Sequence, residues 1–124
     1  MAYIFKTNIA NRKNYGSKRD TSTITYLVFH YTANDGDTDE SNAKYFINNT
    51  PIASAHYFVD DDSVTQSVPD NYVAYSVGGG KLKGTSGGSM YSIIRNTNSI
   101  SIEMCDTIKD GKHNVSDATK ANAL

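Results

Sequence analysis

The stretch ITYLVFHYTANDGDTDE, residues 24–40, limits the fold more than any other part of the chain. Up to its terminal histidine, His30, the first part is leucine, β-branched or aromatic, and nearly continuous in apolarity. That pattern predicts a central strand covered on both faces. Polar, acidic sequence follows at once, so the strand ends at His30 where the chain turns back to water. A histidine there presents its imidazole at the rim of a sheet, where pockets form. Neutral imidazole is the commonest protein metal ligand. Taken alone, a histidine such as His30 is more often an ordinary structural residue than a ligand.

With 124 residues the chain is one domain, long enough for a modest core. Its 12 basic and 13 acidic residues leave a net charge of −1, which argues against electrostatic binding to nucleic acid or an anionic membrane. Arg12, Lys13, Lys18 and Arg19 read as a solvated basic patch in a polar segment, residues 1–22, that wraps the domain as a loop. One cysteine, Cys105, excludes an intrachain disulfide and fits a reducing compartment. Nothing in the sequence has the pattern of a signal peptide or a membrane span. The expectation is cytoplasmic synthesis, with export by another route if the substrate lies outside the membrane.

Downstream, Asp37 and Glu40 resemble a capping box, and Ala43, Phe46 and Ile47 fall at helical spacing. An amphipathic helix over 38–48 is predicted, ended by Thr50-Pro51. Residues 56–60 and 64–68 predict a hairpin around Asp61-Asp62-Ser63. A Gly- and Ser-rich loop spans 78–92; loops of that length in a compact domain are often functional. Residues 98–105 alternate, with Ile100, Ile102 and Met104 on one face and Ser99, Ser101, Glu103 and Cys105 on the other. A last helix starts with Ser116 or Asp117 as its cap and stops at Leu124 in mid-pattern, which predicts a truncated domain.

Several motifs fail on inspection. Asp35, Asp37 and Asp39 alternate as in a calcium loop, but the sixth position holds Glu40 instead of Gly and the twelfth Phe46 instead of an acid. Gly80-Lys81 lacks the earlier Gly of a phosphate loop, where Tyr75 stands. Asn48-Asn49-Thr50 matches a glycosylation triplet by chance. Cys105 reads as a small buried residue at a strand end. Glu103 is more telling. A carboxylate within an apolar strand is costly if buried alone, so it lies on an exposed edge or faces a cleft, a cation or a reacting water. His56 opens the next strand and, alone, reads as structural.

YLVFHYTAN, SAHYFVDDDSVTQSVP, AYSVGGG and NTNSISIEMCD, in that order, resemble four segments of the zinc-dependent N-acetylmuramoyl-L-alanine amidase superfamily. That group includes phage endolysins, bacterial autolysins and peptidoglycan recognition proteins. The likeness runs from about Tyr26 to Asp106. It implies an α/β fold, a mixed central β-sheet flanked by helices, with a metal site at one rim. It implies Zn2+ held by His30, Glu103 as general base, and hydrolysis of the amide joining N-acetylmuramic acid to L-alanine in bacterial peptidoglycan. His56 falls at a position beside the metal and, with Tyr31 and Tyr75, is expected on the substrate groove. Some relatives carry a catalytic tyrosine where this chain has Ala55, so the chemistry would depend on Glu103.

The resemblance also places further zinc ligands beyond the helix that begins near Ser116, and neither His113 nor Cys105 matches one. The chain, 1–124, is therefore expected to be a single amidase domain lacking its C-terminal helix and last ligand segment. The alternative is a non-catalytic peptidoglycan-binding domain or an inactive fragment. An exposed, truncated edge predicts a homodimer or a marginally stable monomer. The biological setting would be lysis by a phage or prophage, or autolysis, acting on the cell wall after release.

Overall fold

A computed structural model of the chain describes residues 3–77 and 89–124. Eight strands and two helices follow in order: β1 (Ile4–Thr7), β2 (Tyr15–Lys18), β3 (Tyr26–Asp35), α1 (Asp39–Asn48), β4 (Tyr57–Val59), β5 (Ser63–Gln66), β6 (Tyr72–Ala74), β7 (Ser99–Lys109), β8 (Lys112–Asn114) and α2 (Asp117–Ala123). The main sheet runs β1-β5-β4-β7-β3, with β8 folded back onto β7, and β2 and β6 form a separate antiparallel pair. β3 and β4 run parallel to β7, whereas β4 and β5 form an antiparallel hairpin, so the sheet is mixed as expected. Most of the expected Gly-rich loop, residues 78–88, lies outside the described residues.

Local chemistry explains most of these elements. Thr38, not Asp37, caps α1: its side chain accepts from the Ser41 N–H, and the Ser41 hydroxyl accepts from the Thr38 N–H. α2 starts on Ser116, which accepts from the Thr119 N–H. Asp110 and Gly111 have φ of 52° and 75°, so the β7–β8 connection is a tight turn of the kind that follows strand twist. His113 lies on β8.

Two expectations are corrected. β3 is an edge strand of the main sheet, not a central one, and one of its faces is open: Leu27 is 61% exposed, Phe29 41% and Tyr31 53%. The continuous apolarity of 24–30 misleads because an edge strand with one face uncovered can be apolar throughout. Residues 1–22 are also more than a loop, since β1 pairs with β5 and β2 with β6. Asn14, fully buried, ties this segment to the end of α1 by donating to the Phe46 and Asn49 carbonyls and accepting from the Ile52 N–H.

Each face of the sheet has a small core. On one, Phe58 packs with Ala43 and Ala55 and stacks on Phe46 of α1, ring centroids 5.5 Å apart. On the other, Val59, Val64, Ile100 and Ile102 pack against Ala123 of α2. His30, Glu103 and Phe58 are register partners on β3, β7 and β4, which puts all of them on the α1 face.

Candidate active site

Parallel pairing of β3 with β7 sets His30 beside Glu103. His30 Nδ1 lies 3.5 Å from Glu103 Oε1, with side chains 35% and 23% exposed. At that length the contact is no hydrogen bond of normal strength. Both His30 Nδ1 and Glu103 Oε2 are buried without a hydrogen-bond partner among the described residues. Leaving such atoms unpaired costs roughly 1–3 kcal/mol each, so the pair is kept for something other than stability. Burial holds the His30 ring below its ordinary 6.5, favouring the neutral imidazole. Burial, with a smaller push from Asp37, raises Glu103 to about 7. The arrangement sets a neutral ring nitrogen beside a carboxylate able to gain or lose a proton near neutrality.

A groove of about 690 Å³ opens from Glu103 and is floored by Phe58 and Ala55. Tyr31, Tyr45 and Tyr75 line it. Tyr75 is fixed by reciprocal bonds with Ser54: its N–H donates to the Ser54 hydroxyl and its carbonyl accepts from the Ser54 N–H, both at 3.0 Å. Gly16 makes room for the Tyr75 ring, since a Cβ there would lie 3.1 Å from it. Tyr31 has the His113 ring behind it at 5.2 Å. His113 Nδ1 is 2.5 Å from Asp106 Oδ2, and Asp106 also accepts from Thr32 Oγ1 and the Asn34 N–H. His113 thus holds the Tyr31 ring and is itself held by Asp106.

His56 is not on the groove. It is 1% exposed, in the core. The Ser101 N–H donates to its Nδ1 at 3.1 Å, which leaves Nε2 as the protonated nitrogen, donating to the Tyr72 carbonyl at 2.9 Å. The Arg19 guanidinium stands 3.1 Å from Nε2 and donates to the carbonyls of Asp70, Asn96 and Ser99. Arg19, expected in a solvated patch, instead stitches the N-terminal segment to the rest of the fold. Burial, then the nearby Arg19 charge against a favourable Tyr72 bond, keeps His56 below its ordinary value.

Cys105 is buried and its thiol is pushed far up by burial and by surrounding aspartates, so it is no nucleophile. Among the described residues, the one trio of metal-binding side chains with ligand atoms within 4.8 Å of one another is Asp39, Glu40 and Asp60. This acidic group already has a cation: Lys6 of β1 pairs with Glu40 and lies 3.9 Å from Asp39. Asp39 also accepts from the Ser63 and Thr65 hydroxyls at 2.7 Å each. These contacts make the trio a clamp between β1, α1 and β5.

Sequence reasoning missed Asp37 and Tyr45 as groove residues. Asp37 was assigned to the helix cap that Thr38 supplies. Tyr45 had a signal, an aromatic residue one position from the apolar stripe of α1, but only the packing of α1 shows that this edge faces the groove.

A family model described as N-acetylmuramoyl-L-alanine amidase matches residues 20–124. The N-acetylmuramoyl-L-alanine amidase CwlA of Bacillus subtilis (strain 168) is 32% identical over 106 residues, 85% of this chain and 35% of that protein. The chain thus spans about a third of the length of CwlA and of the XlyB amidase from the same strain. The structure of PlyL superposes with a TM-score of 0.67 at 25% identity, covering 99% of this chain and 68% of that one. A mutant endolysin from Bacillus subtilis gives 0.67 at 23% identity, covering 98% and 71%, a likeness of fold. With the family model covering most of its length, the chain belongs to the N-acetylmuramoyl-L-alanine amidase family.

Proposed function

We propose that this chain belongs to a zinc-dependent amidase that hydrolyses the amide between N-acetylmuramic acid and L-alanine in peptidoglycan. The observation that carries the reading is the His30–Glu103 pair, of which Glu103 lines an aromatic groove, with one buried, unpartnered atom on each residue. Family membership supports the reaction class.

The unpartnered His30 nitrogen fits a metal, and burial favours the neutral ring that metals bind. His30 would be one ligand, and bound zinc would supply a Lewis acid that polarises the scissile carbonyl. Glu103 handles the proton. Its Oε2 takes a proton from the attacking water as the water oxygen bonds to the lactyl carbonyl carbon. It then delivers that proton to the alanine nitrogen as the carbon–nitrogen bond breaks. A carboxylate raised to about 7 suits both halves of that transfer near neutral pH. Tyr31 and Tyr75 would flank the sugar and the start of the peptide. The setting would be wall lysis for a phage or prophage, or bacterial autolysis. No helix among the described residues is long and apolar enough to cross a membrane.

The test is incubation with purified peptidoglycan and zinc, reading newly exposed amino-terminal alanine. Glu103→Gln is expected to keep zinc and lose turnover by about 100-fold or more. His30→Ala is expected to lose zinc. Unchanged turnover in Glu103→Gln would overturn the assignment.

A second reading has one observation behind it. Among the described residues no histidine-containing trio brings its ligand atoms within 4.8 Å, and a catalytic zinc site needs several protein ligands. The chain would then bind peptidoglycan through the same groove without cutting it. It would pull down with peptidoglycan whatever its zinc content, and would release no alanine.

A further inference from the structure

Among the described residues, four buried side-chain atoms have no hydrogen-bond partner: His30 Nδ1, Asp37 Oδ1, Ser67 Oγ and Glu103 Oε2. The proposed chemistry accounts for the first and last. Ser67 is fully buried in the core. Asp37 remains, and it lines the groove together with Glu103.

Asp37 has no other occupation for this oxygen. Its Oδ2 accepts from Asn42 Nδ2 at 2.5 Å, which fixes the side chain on α1 and leaves Oδ1 unpaired. The helix cap is made by Thr38. A metal role is not supported either, because Asp37, His30 and Glu103 do not gather their ligand atoms within 4.8 Å, the spacing met by the Asp39 trio alone among the described residues. Asp37 thus lines the groove as a fixed carboxylate whose buried Oδ1 has no hydrogen-bond partner among the described residues.

The charge around it is one-sided. The described lining of the groove carries Asp37 and Glu103 and no lysine, arginine or histidine. Tyr31, Tyr45 and Phe46 add flat apolar surface, against which the methylenes of a long cationic side chain can lie. A carboxylate with a free acceptor in a cleft of low dielectric favours a protonated amine and repels a second carboxylate.

We propose that Asp37 is a specificity-determining residue that binds a protonated amine on the peptide stem of the substrate. The proposal rests on the reading of the groove as a muropeptide site. It says which stems fit: those that place a free amine, not a carboxylate or a blocked nitrogen, beside α1.

Calorimetric titration tests it, using the whole chain with a chelator present so that nothing is hydrolysed. The probes are a soluble disaccharide-peptide with a free side-chain amine and the same molecule with that amine acetylated. The free amine should bind about tenfold more tightly at low salt, as a charge-assisted contact allows. Asp37→Asn should erase this preference while leaving the acetylated probe's affinity within about twofold, and Asp37→Glu should keep the preference. An undiminished preference in Asp37→Asn, or none in the natural chain, would overturn the proposal and leave the groove assignment standing. Failure of both probes to bind would overturn the groove assignment itself, and this proposal with it.

Discussion

His30 lies on β3 and His56 just before β4, and their ring nitrogens have opposite fates. Both nitrogens of His56 are engaged, one by the Ser101 N–H and the other by the Tyr72 carbonyl. His30 Nδ1 has no partner. A satisfied buried imidazole holds structure, and an unsatisfied one is available to a ligand. The two could not be told apart in the sequence, because Ser101 and Tyr72 lie far from His56 along the chain. Glu103 was legible, since a carboxylate among Ile100, Ile102 and Met104 has no local reason to exist. Burial makes His56 a liability in acid. Its folded value lies below 6.5, so the unfolded chain takes up the proton first as pH falls. Stability present above that value is lost as pH drops through and below it. Urea midpoints measured at pH 7.5 and 5.5 should show the loss, and His56→Gln should lessen it. An identical loss in the variant would sink this account of His56.

At the scale of elements, the helices and the β4–β5 hairpin were readable because their signals are local. Capping residues, helical spacing and the Asp-rich turn all lie within a few residues of what they shape. β1, β2 and β6 were not readable. Each has only three or four residues, and each exists because of a partner distant in sequence. The place of β3 at the sheet edge depends likewise on which strands pair, which an apolar run does not encode. The shift of the α1 cap from Asp37 to Thr38 is a one-residue difference with a functional consequence, since it leaves Asp37 free for the groove. Thr38→Ala should cost about 1 kcal/mol of stability, read as a lower denaturant midpoint with unchanged slope. A variant as stable as the natural chain would show that the cap contributes nothing.

Across the whole molecule, the sheet separates two kinds of surface. The α1 face carries the groove, the His30–Glu103 pair and Asp37. The other carries the α2 core and the uncovered side chains of Leu27 and Phe29. The order of the four sequence segments made this fold legible, since it matched a family whose solved members share it. Sequence did not reveal the acidic trio of Asp39, Glu40 and Asp60, which Lys6 already neutralises in part and which rivals the metal site proposed at His30. The most direct measurement is a zinc titration of the whole chain, followed by the ring-nitrogen resonances of its three histidines. The account predicts that the His30 signals move with zinc while His56 stays fixed, and that Glu103→Gln leaves the response intact. A titration in which His30 is silent and the backbone amides of Asp39, Glu40 and Asp60 respond would contradict it.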